Sequence, residues 1–254
     1  MRIARFVVDA DPLYGVVEEQ KVHTLAGDPF FQGIKPTGQS HELDDVRLVA
    51  PIIPRSKVVA FGRTYRKHAE ELGNEVPPEP IMFLKPNTSV VGHNEPVTLP
   101  SFSDEVSFEG ELAVVIGRIC KDVPVEKVPE VIFGYTAAND LTARDAQRSD
   151  LQWARAKGFD GSCPLGPWIE TELDNPDDIG IVTRVNGEVK QDGSTNELIW
   201  SVHELVARAS EAFTLLPGDV ILTGTPAGVG EVREGDRVEV EVEEIGSLGN
   251  VFRR

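Results

Sequence analysis

The chain has 254 residues and carries 25 basic against 42 acidic side chains, a formal net charge of −17. That length holds one large domain, or a main domain with a small appendage. A surface this acidic repels nucleic acid and anionic membranes, which excludes both as expected partners. The hydrophobic fraction of 40% is that of a packed globular protein, and the two cysteines, Cys120 and Cys163, make neither a disulfide framework nor a zinc site. No apolar stretch approaches the ~20 residues of a membrane helix, and the N-terminus lacks a signal-peptide run, so the expected compartment is the cytoplasm.

In chain order, residues 1–53 read as a small unit. Arg2–Asp9 and Tyr14–Glu18 form an expected hairpin around Asp11-Pro12, followed by a turn-rich stretch through Gly27, Pro29, Gly33 and Pro36. Pro51 and Pro54 mark a boundary, and residues 54–254 form the main domain. A strand over Lys57–Phe61 leads into a short helix over Tyr65–Leu72 stopped by Gly73. The proline-rich 74–80 segment is either a lid beside a site or a rigid loop. Strands are then expected at Ile81–Leu84, Glu111–Gly117, Gly134–Asn139, Gly166–Glu170, Gly180–Val185, Asp219–Thr223 and Arg237–Glu243, with a two-residue hairpin turn at Asn186-Gly187. Helices are expected at Val125–Ile132, Ala143–Ala154 and Val202–Phe213. Strands outnumber helices and do not alternate with them, so the fold class is α+β, rich in β, and not a doubly wound sheet.

The most informative segment is Phe108-Glu109-Gly110-Glu111-Leu112-Ala113-Val114-Val115-Ile116-Gly117. Residues i and i+2 of a strand share a face, so Glu109 and Glu111 point the same way at one end of a face continued by Ala113 and Val115. Two such acids are either an exposed strand end or a pair that calls for a cation. A second apolar strand ends in Asn139-Asp140 before the expected helix, where Asp140 serves that helix N-terminus or supplies a third ligand. An all-carboxylate set selects a hard ion, Mg²⁺, Mn²⁺ or Ca²⁺. Three monodentate acids leave about half of an octahedral shell for water and a chelating substrate.

Three further features bear on chemistry. Lys157 stands in a glycine-rich loop suited to anion or enolate binding, although a lone lysine is more often solvated. His68 and Glu71 are three apart on the short helix, the spacing of an acid–base dyad or of an exposed helical pair. Thr223-Gly224-Thr225-Pro226-Ala227-Gly228-Val229-Gly230 lacks the glycine order, the lysine and the following helix of a phosphate loop. It reads as a tight loop presenting the Thr225 hydroxyl and backbone N–H groups. Nothing near Cys163 in sequence activates it as a nucleophile.

Taken together, Phe-Glu-Gly-Glu-Leu-Ala-Val-Val-Ile-Gly (108–117), Asn-Asp-Leu-Thr-Ala-Arg-Asp-Ala-Gln (139–147), Lys-Gly-Phe-Asp (157–160), Pro-Leu-Gly-Pro (164–167) and Thr-Gly-Thr-Pro-Ala-Gly-Val-Gly (223–230) resemble the fumarylacetoacetate hydrolase family. The resemblance runs from about Pro54 to the C-terminus, with five motifs in family order. It implies a mixed β-sandwich roll, usually a homodimer, with one Mg²⁺ or Mn²⁺ per chain held by Glu109, Glu111 and Asp140 and no organic cofactor. Lys157 matches the lysine that contacts substrate, and Arg63, Arg144, Gln147 and Thr225 match pocket positions. His68 and Glu71 match a dyad on a mobile helix tied to hydrolysis and decarboxylation. The short N-terminal unit differs from the larger one of fumarylacetoacetate hydrolase itself, which argues against that exact activity.

The resemblance implies that a small 2-keto acid chelates the ion and reacts through its enolate. The first expectation is C–C cleavage, as oxaloacetate decarboxylase or acylpyruvate hydrolase. The second is isomerisation of 2-hydroxyhepta-2,4-diene-1,7-dioate, or decarboxylation of 5-oxopent-3-ene-1,2,5-tricarboxylate. A rival of another class is a non-catalytic binding protein stabilised by Ca²⁺.

Overall fold

A computed structural model describes residues 1–9, 11–71, 73 and 75–254. Its centre is a twelve-stranded mixed sheet, whose main path runs Pro36–Glu42, Lys21–Leu25, Leu13–Glu18, Arg2–Val7, Cys163–Glu170, Ile132–Asn139, Gly110–Ile116, Val220–Leu222, Val58–Gly62 and Ile81–Lys85. A five-stranded sheet orders Glu188–Ser194, Gly180–Val185, Arg237–Val242, Gly246–Arg253 and Val97–Thr98, and a small three-stranded sheet joins Thr142–Ala143, Val106–Phe108 and Gly230–Glu231.

The strand Gly110–Ile116 is buried along its whole length, because both of its faces are covered. Leu112, Val114 and Ile116 pack into a core with Ile181, Val240 and Leu248 of the five-stranded sheet and with Leu205, Val206 and Ala209 of a helix. Ala113 and Val115 face a second core with Leu165, Ile169, Val220 and Leu222. A strand covered on both faces becomes a continuous apolar run, which is what 112–116 shows. The β-rich α+β reading and the sandwich both hold, with 42% strand against 19% helix.

The N-terminal hairpin forms as expected, with Phe6 opposite Leu13, and its strand Arg2–Val7 joins the main sheet beside Cys163–Glu170. The turn-rich stretch contains a one-turn helix, Pro29–Gln32, capped by the Asp28 carboxylate. Two strands that flank it, Lys21–Leu25 and Pro36–Glu42, were not expected, since the second is almost wholly exposed and carries no apolar alternation. The Asn186-Gly187 turn has φ of 53° and 83° at its two residues, the left-handed pair that this hairpin type requires.

Helices depart further from expectation. Val202–Ala212 forms on a Ser201–Glu204 capping box. Val125–Glu130 is a 3₁₀ helix with Pro129 inside it. The helix expected over Ala143–Ala154 is two short ones, Arg144–Ser149 and Ala154–Gly158. The break falls at extended Asp150, whose carboxylate takes Arg155 Nε at 3.0 Å and Nη2 at 2.7 Å, while Ser149 Oγ bonds back to the Ala146 carbonyl. Short polar side chains that bond locally in this way compete with the helical ladder. The helix beside the site spans Arg66–Glu71; Leu72 and Asn74 lie outside the described residues.

Candidate active site

The three acids meet through strand register. Glu111 lies opposite Ala138 and Gly110 opposite Asn139 in the antiparallel pair of Gly110–Ile116 with Ile132–Asn139. One step further, the Asp140 N–H donates to the Glu109 carbonyl at 2.8 Å. Residues directly opposed across such a ladder share a face, so Glu109, Glu111 and Asp140 gather at one end of the sheet. Their carboxylate oxygens lie within 4.8 Å of one another, and all three residues are buried. The exposed strand end is thereby excluded, and so is the helix-cap role for Asp140, because the N-cap of Arg144–Ser149 is Ala143, with no side-chain bond.

Two glycines let this corner close. A Cβ on Gly110 would come within 2.1 Å of Thr183 Oγ1 on the facing sheet. Gly110 N–H donates to Gln191 Oε1 at 2.9 Å and its carbonyl accepts from the Thr225 hydroxyl at 2.8 Å, while Gln191 Nε2 donates to that hydroxyl at 2.7 Å. The peptide between the two glutamates is therefore clamped. Gly224, at φ 97°, has no room for a Cβ against Thr64 and donates its N–H to Glu111 Oε2 at 2.8 Å. Asn139 adds a side-chain acceptor for the Glu109 N–H at 2.9 Å.

Cations surround the acids. Lys157 Nζ lies 2.7 Å from Glu109 Oε2 and 2.7 Å from Asp140 Oδ2. Arg144 Nη2 donates to Glu109 Oε1, with Nη1 on Gln147 Oε1 at 3.0 Å. Lys85, fully buried, donates to Asp140 Oδ1. Burial opposes ionisation of Glu109, but Lys157, Arg144 and His68 outweigh it and hold its carboxyl well below the ordinary range. Glu111 is the reverse case: burial, then Asp140 and Glu109, push it well above that range. Lys157 is raised despite its burial, because Asp140 and Glu109 both face it.

A hard divalent ion fits this set. Three buried oxygens already converge, and Glu111 is crowded by two like charges that Lys157 and the Gly224 amide offset only in part. No sulfur or imidazole stands among the three. Cys163 is buried, and that burial drives its thiol up to about 12, which removes it as a nucleophile.

The acids open onto a cleft of about 440 Å³ lined by Gly62, Arg63, His68, Ala69, Glu109, Arg144, Gln147, Arg148, Trp153 and Lys157, within the range of small-ligand pockets. Arg63 takes the left-handed region at φ 58°, a conformation most side chains avoid. His68 Nδ1 lies 3.4 Å from Glu71 Oε2, and burial lowers the imidazole pKa although Glu109 and Glu71 oppose it. The Glu71 carboxylate also accepts the Gly228 N–H, 3.1 Å to each oxygen.

Of the residues singled out in the sequence, the cleft therefore brings together Glu109, Lys157, Arg63, Arg144, Gln147 and His68, with Glu111 and Asp140 beneath it. Lys157 differs from expectation in belonging to the helix Ala154–Gly158 rather than a loop, its N–H bonded to the Trp153 carbonyl at 2.9 Å. Thr225 lies in the Gly110 clamp, its hydroxyl engaged on both sides. Lys85 and Gln191 were missed. Neither carries a motif: Lys85 follows the expected strand Ile81–Leu84 and reaches Asp140, while Gln191, on the facing five-stranded sheet, bonds the Gly110 peptide between the two glutamates.

Fold and site together define a β-sandwich enzyme class with a buried carboxylate triad under a small cationic cleft. The Fumarylacetoacetate (FAA) hydrolase C-terminal family model matches residues 57–253, and an Rv2993c-like, N-terminal model matches residues 1–51. The chain belongs to the fumarylacetoacetate hydrolase family. It is 52% identical over 216 residues to Protein Rv2993c of Mycobacterium tuberculosis, covering 84% of this chain and 81% of that one. It is 41% identical over 217 residues to the mitochondrial oxaloacetate tautomerase fahd2 of Xenopus laevis, covering 81% and 71%. The crystal structure of 5-carboxymethyl-2-hydroxymuconate delta-isomerase from Mycobacterium smegmatis superposes with a TM-score of 0.93 at 48% identity, covering both chains fully. Among the described residues no helix is long and apolar enough to cross a membrane.

Proposed function

We propose that this protein is a divalent-ion-dependent enzyme that transforms a small 2-keto acid through its enolate. The observation that carries the reading is the convergence of Glu109, Glu111 and Asp140 within 4.8 Å beneath a cleft that also presents Lys157 and His68. Mg²⁺ or Mn²⁺ suits the all-oxygen donor set. When bound, such an ion supplies Lewis-acid charge to the keto oxygen. Glu109, Glu111 and Asp140 would hold it. Lys157 adds a positive charge beside the developing oxyanion, at a position fixed by two carboxylates. Arg144, held by Glu109 and Gln147, presents a guanidinium to the substrate carboxylate.

His68 is the proton-transfer group. Its buried, neutral imidazole is a base near neutral pH, and Glu71 orients it. In C–C cleavage of an acylpyruvate it takes the proton of the attacking water; in decarboxylation of oxaloacetate, loss of CO₂ leaves an enolate carbon that takes its proton from solvent water relayed through His68. A second reading, isomerisation or tautomerisation, needs only that His68 move a proton between two substrate atoms. The oxaloacetate tautomerase and delta-isomerase relatives favour that reading. The homodimer expected from the resemblance is supported by the exposed Leu84 and Leu151 beside the cleft.

The test is a panel assay of purified protein with Mg²⁺ or Mn²⁺ against oxaloacetate, an acylpyruvate and a hydroxy-diene dioate. Release of CO₂, hydrolytic products or an isomer separates the readings. Absence of ion-dependent turnover on all three would overturn the proposal, whereas a rise in melting temperature with Ca²⁺ and no turnover would support a binding protein.

A further inference from the structure

The strand Ile81–Lys85 ends at the site with a lysine that is 1% exposed. Lys85 Nζ donates to Asp140 Oδ1 while Lys157 takes Asp140 Oδ2 at 2.7 Å, so one carboxylate is gripped by two ammonium groups. The same strand places the Phe83 ring 5.1 Å from Lys157 Nζ. Pro86, next along the chain, abuts Gly158 so tightly that a Cβ there would approach its Cδ to 2.9 Å. The end of this strand and the helix of Lys157 form one close-packed support.

Burying a second lysine on a carboxylate that already has one is costly, and satisfying Asp140 does not require it. Formal charge shows what the second one does. With all three acids ionised, as an ion-holding triad requires, their negative charges equal in number the positive charges of Lys85, Lys157 and Arg144, which pair with Glu109 and Asp140. With a divalent ion in place, this set carries two uncompensated positive charges. Only a ligand with two negative charges restores neutrality, such as a carboxylate next to an enolate oxygen.

We propose that Lys85 is a positioning residue that makes ion binding and dianion binding interdependent. By fixing one oxygen of Asp140 and cancelling its charge, it leaves the ion alone weakly held and the ion together with a dianion tightly held. Coupling of this kind is reciprocal between the two ligands. The inference rests on the ion site of the proposed function.

The experiment titrates Mn²⁺ into full-length protein by calorimetry, with and without saturating oxalate, for wild type, Lys85→Met and Lys85→Arg. In wild type, oxalate tightens Mn²⁺ binding by roughly tenfold or more. Lys85→Met reduces that ratio several-fold, and Lys85→Arg restores most of it. A merely structural lysine would weaken both titrations alike and leave the ratio unchanged, which would overturn the proposal. Should Lys85→Met fail to fold, Lys85→Gln takes its place in the same pair of titrations, and a ratio equal to that of wild type would contradict the proposal. No Mn²⁺ binding in wild type defeats the ion site itself, whereas Mn²⁺ binding with coupling independent of Lys85 defeats this inference alone.

Discussion

The two halves of the site are built differently. Glu109, Glu111 and Asp140 hang on adjacent strands in the middle of a twelve-stranded sheet, with core on both faces and a clamp of Gln191, Thr225 and Gly224 around the peptides between them. His68 and Glu71 sit on a six-residue helix, tied to the body by the Tyr65–Leu198 bridge, the Lys67–Glu197 ion pair and the Glu71 bonds to Gly228. A helix this short is not stable by itself, so tertiary contacts hold it. The holding half is rigid and the proton-moving half is lightly attached, so substitutions should separate binding from turnover.

The largest effect is expected in the rigid half. Glu109→Ala removes the partner of both Lys157 and Arg144, and should abolish ion binding and activity together, a loss of at least about a thousandfold in turnover. Calorimetry with Mn²⁺ alongside the panel assay checks both; ion binding that survives would detach the triad from the function. Gly110→Ala comes next: the clash with Thr183 should cost about 2 kcal/mol of stability, read as a lower denaturation midpoint, and should weaken ion binding through the displaced glutamates. In the attached half, His68→Ala should leave Mn²⁺ affinity within about twofold while turnover falls by about a hundredfold. Equal loss of both would mean the halves are not separable.

Acidity sharpens the same contrast. Burial lowers the pKa of His68, so its basic form persists below the ordinary imidazole range and is lost only as pH falls further. The value of kcat/KM should therefore hold through pH 6.5 and decline on the acid side of it. An acid limb centred above 7 would exclude His68 as the base. The smallest effect is expected at Lys67→Ala, which removes an exposed ion pair and should leave the denaturation midpoint nearly unchanged.

The acids and the dyad were legible because period-two and period-three spacings survive folding. Glu109 and Glu111 share a face in any strand, and His68 and Glu71 share one in any helix. Asp140 was legible as a strand end but ambiguous in role until its register opposite Glu109 was known. Lys85 and Gln191 were illegible, since Lys85 reaches Asp140, and Gln191 the Gly110 peptide, from strands far away in sequence. The split of the expected Ala143–Ala154 helix was hidden for a related reason: Asp150 reads as an ordinary helix-surface acid until Arg155 is seen folded back onto it. The glycines around Lys157 read as a loop and mask a single helical turn.

The central claim, that buried acids hold an ion needed for keto-acid chemistry, is tested most directly by stripping and restoring that ion. Protein treated with a chelator and desalted should turn over none of oxaloacetate, an acylpyruvate or a hydroxy-diene dioate, and stoichiometric Mn²⁺ should restore activity in wild type but not in Glu111→Gln. Full activity after chelation, or restoration in Glu111→Gln equal to wild type, would contradict the account.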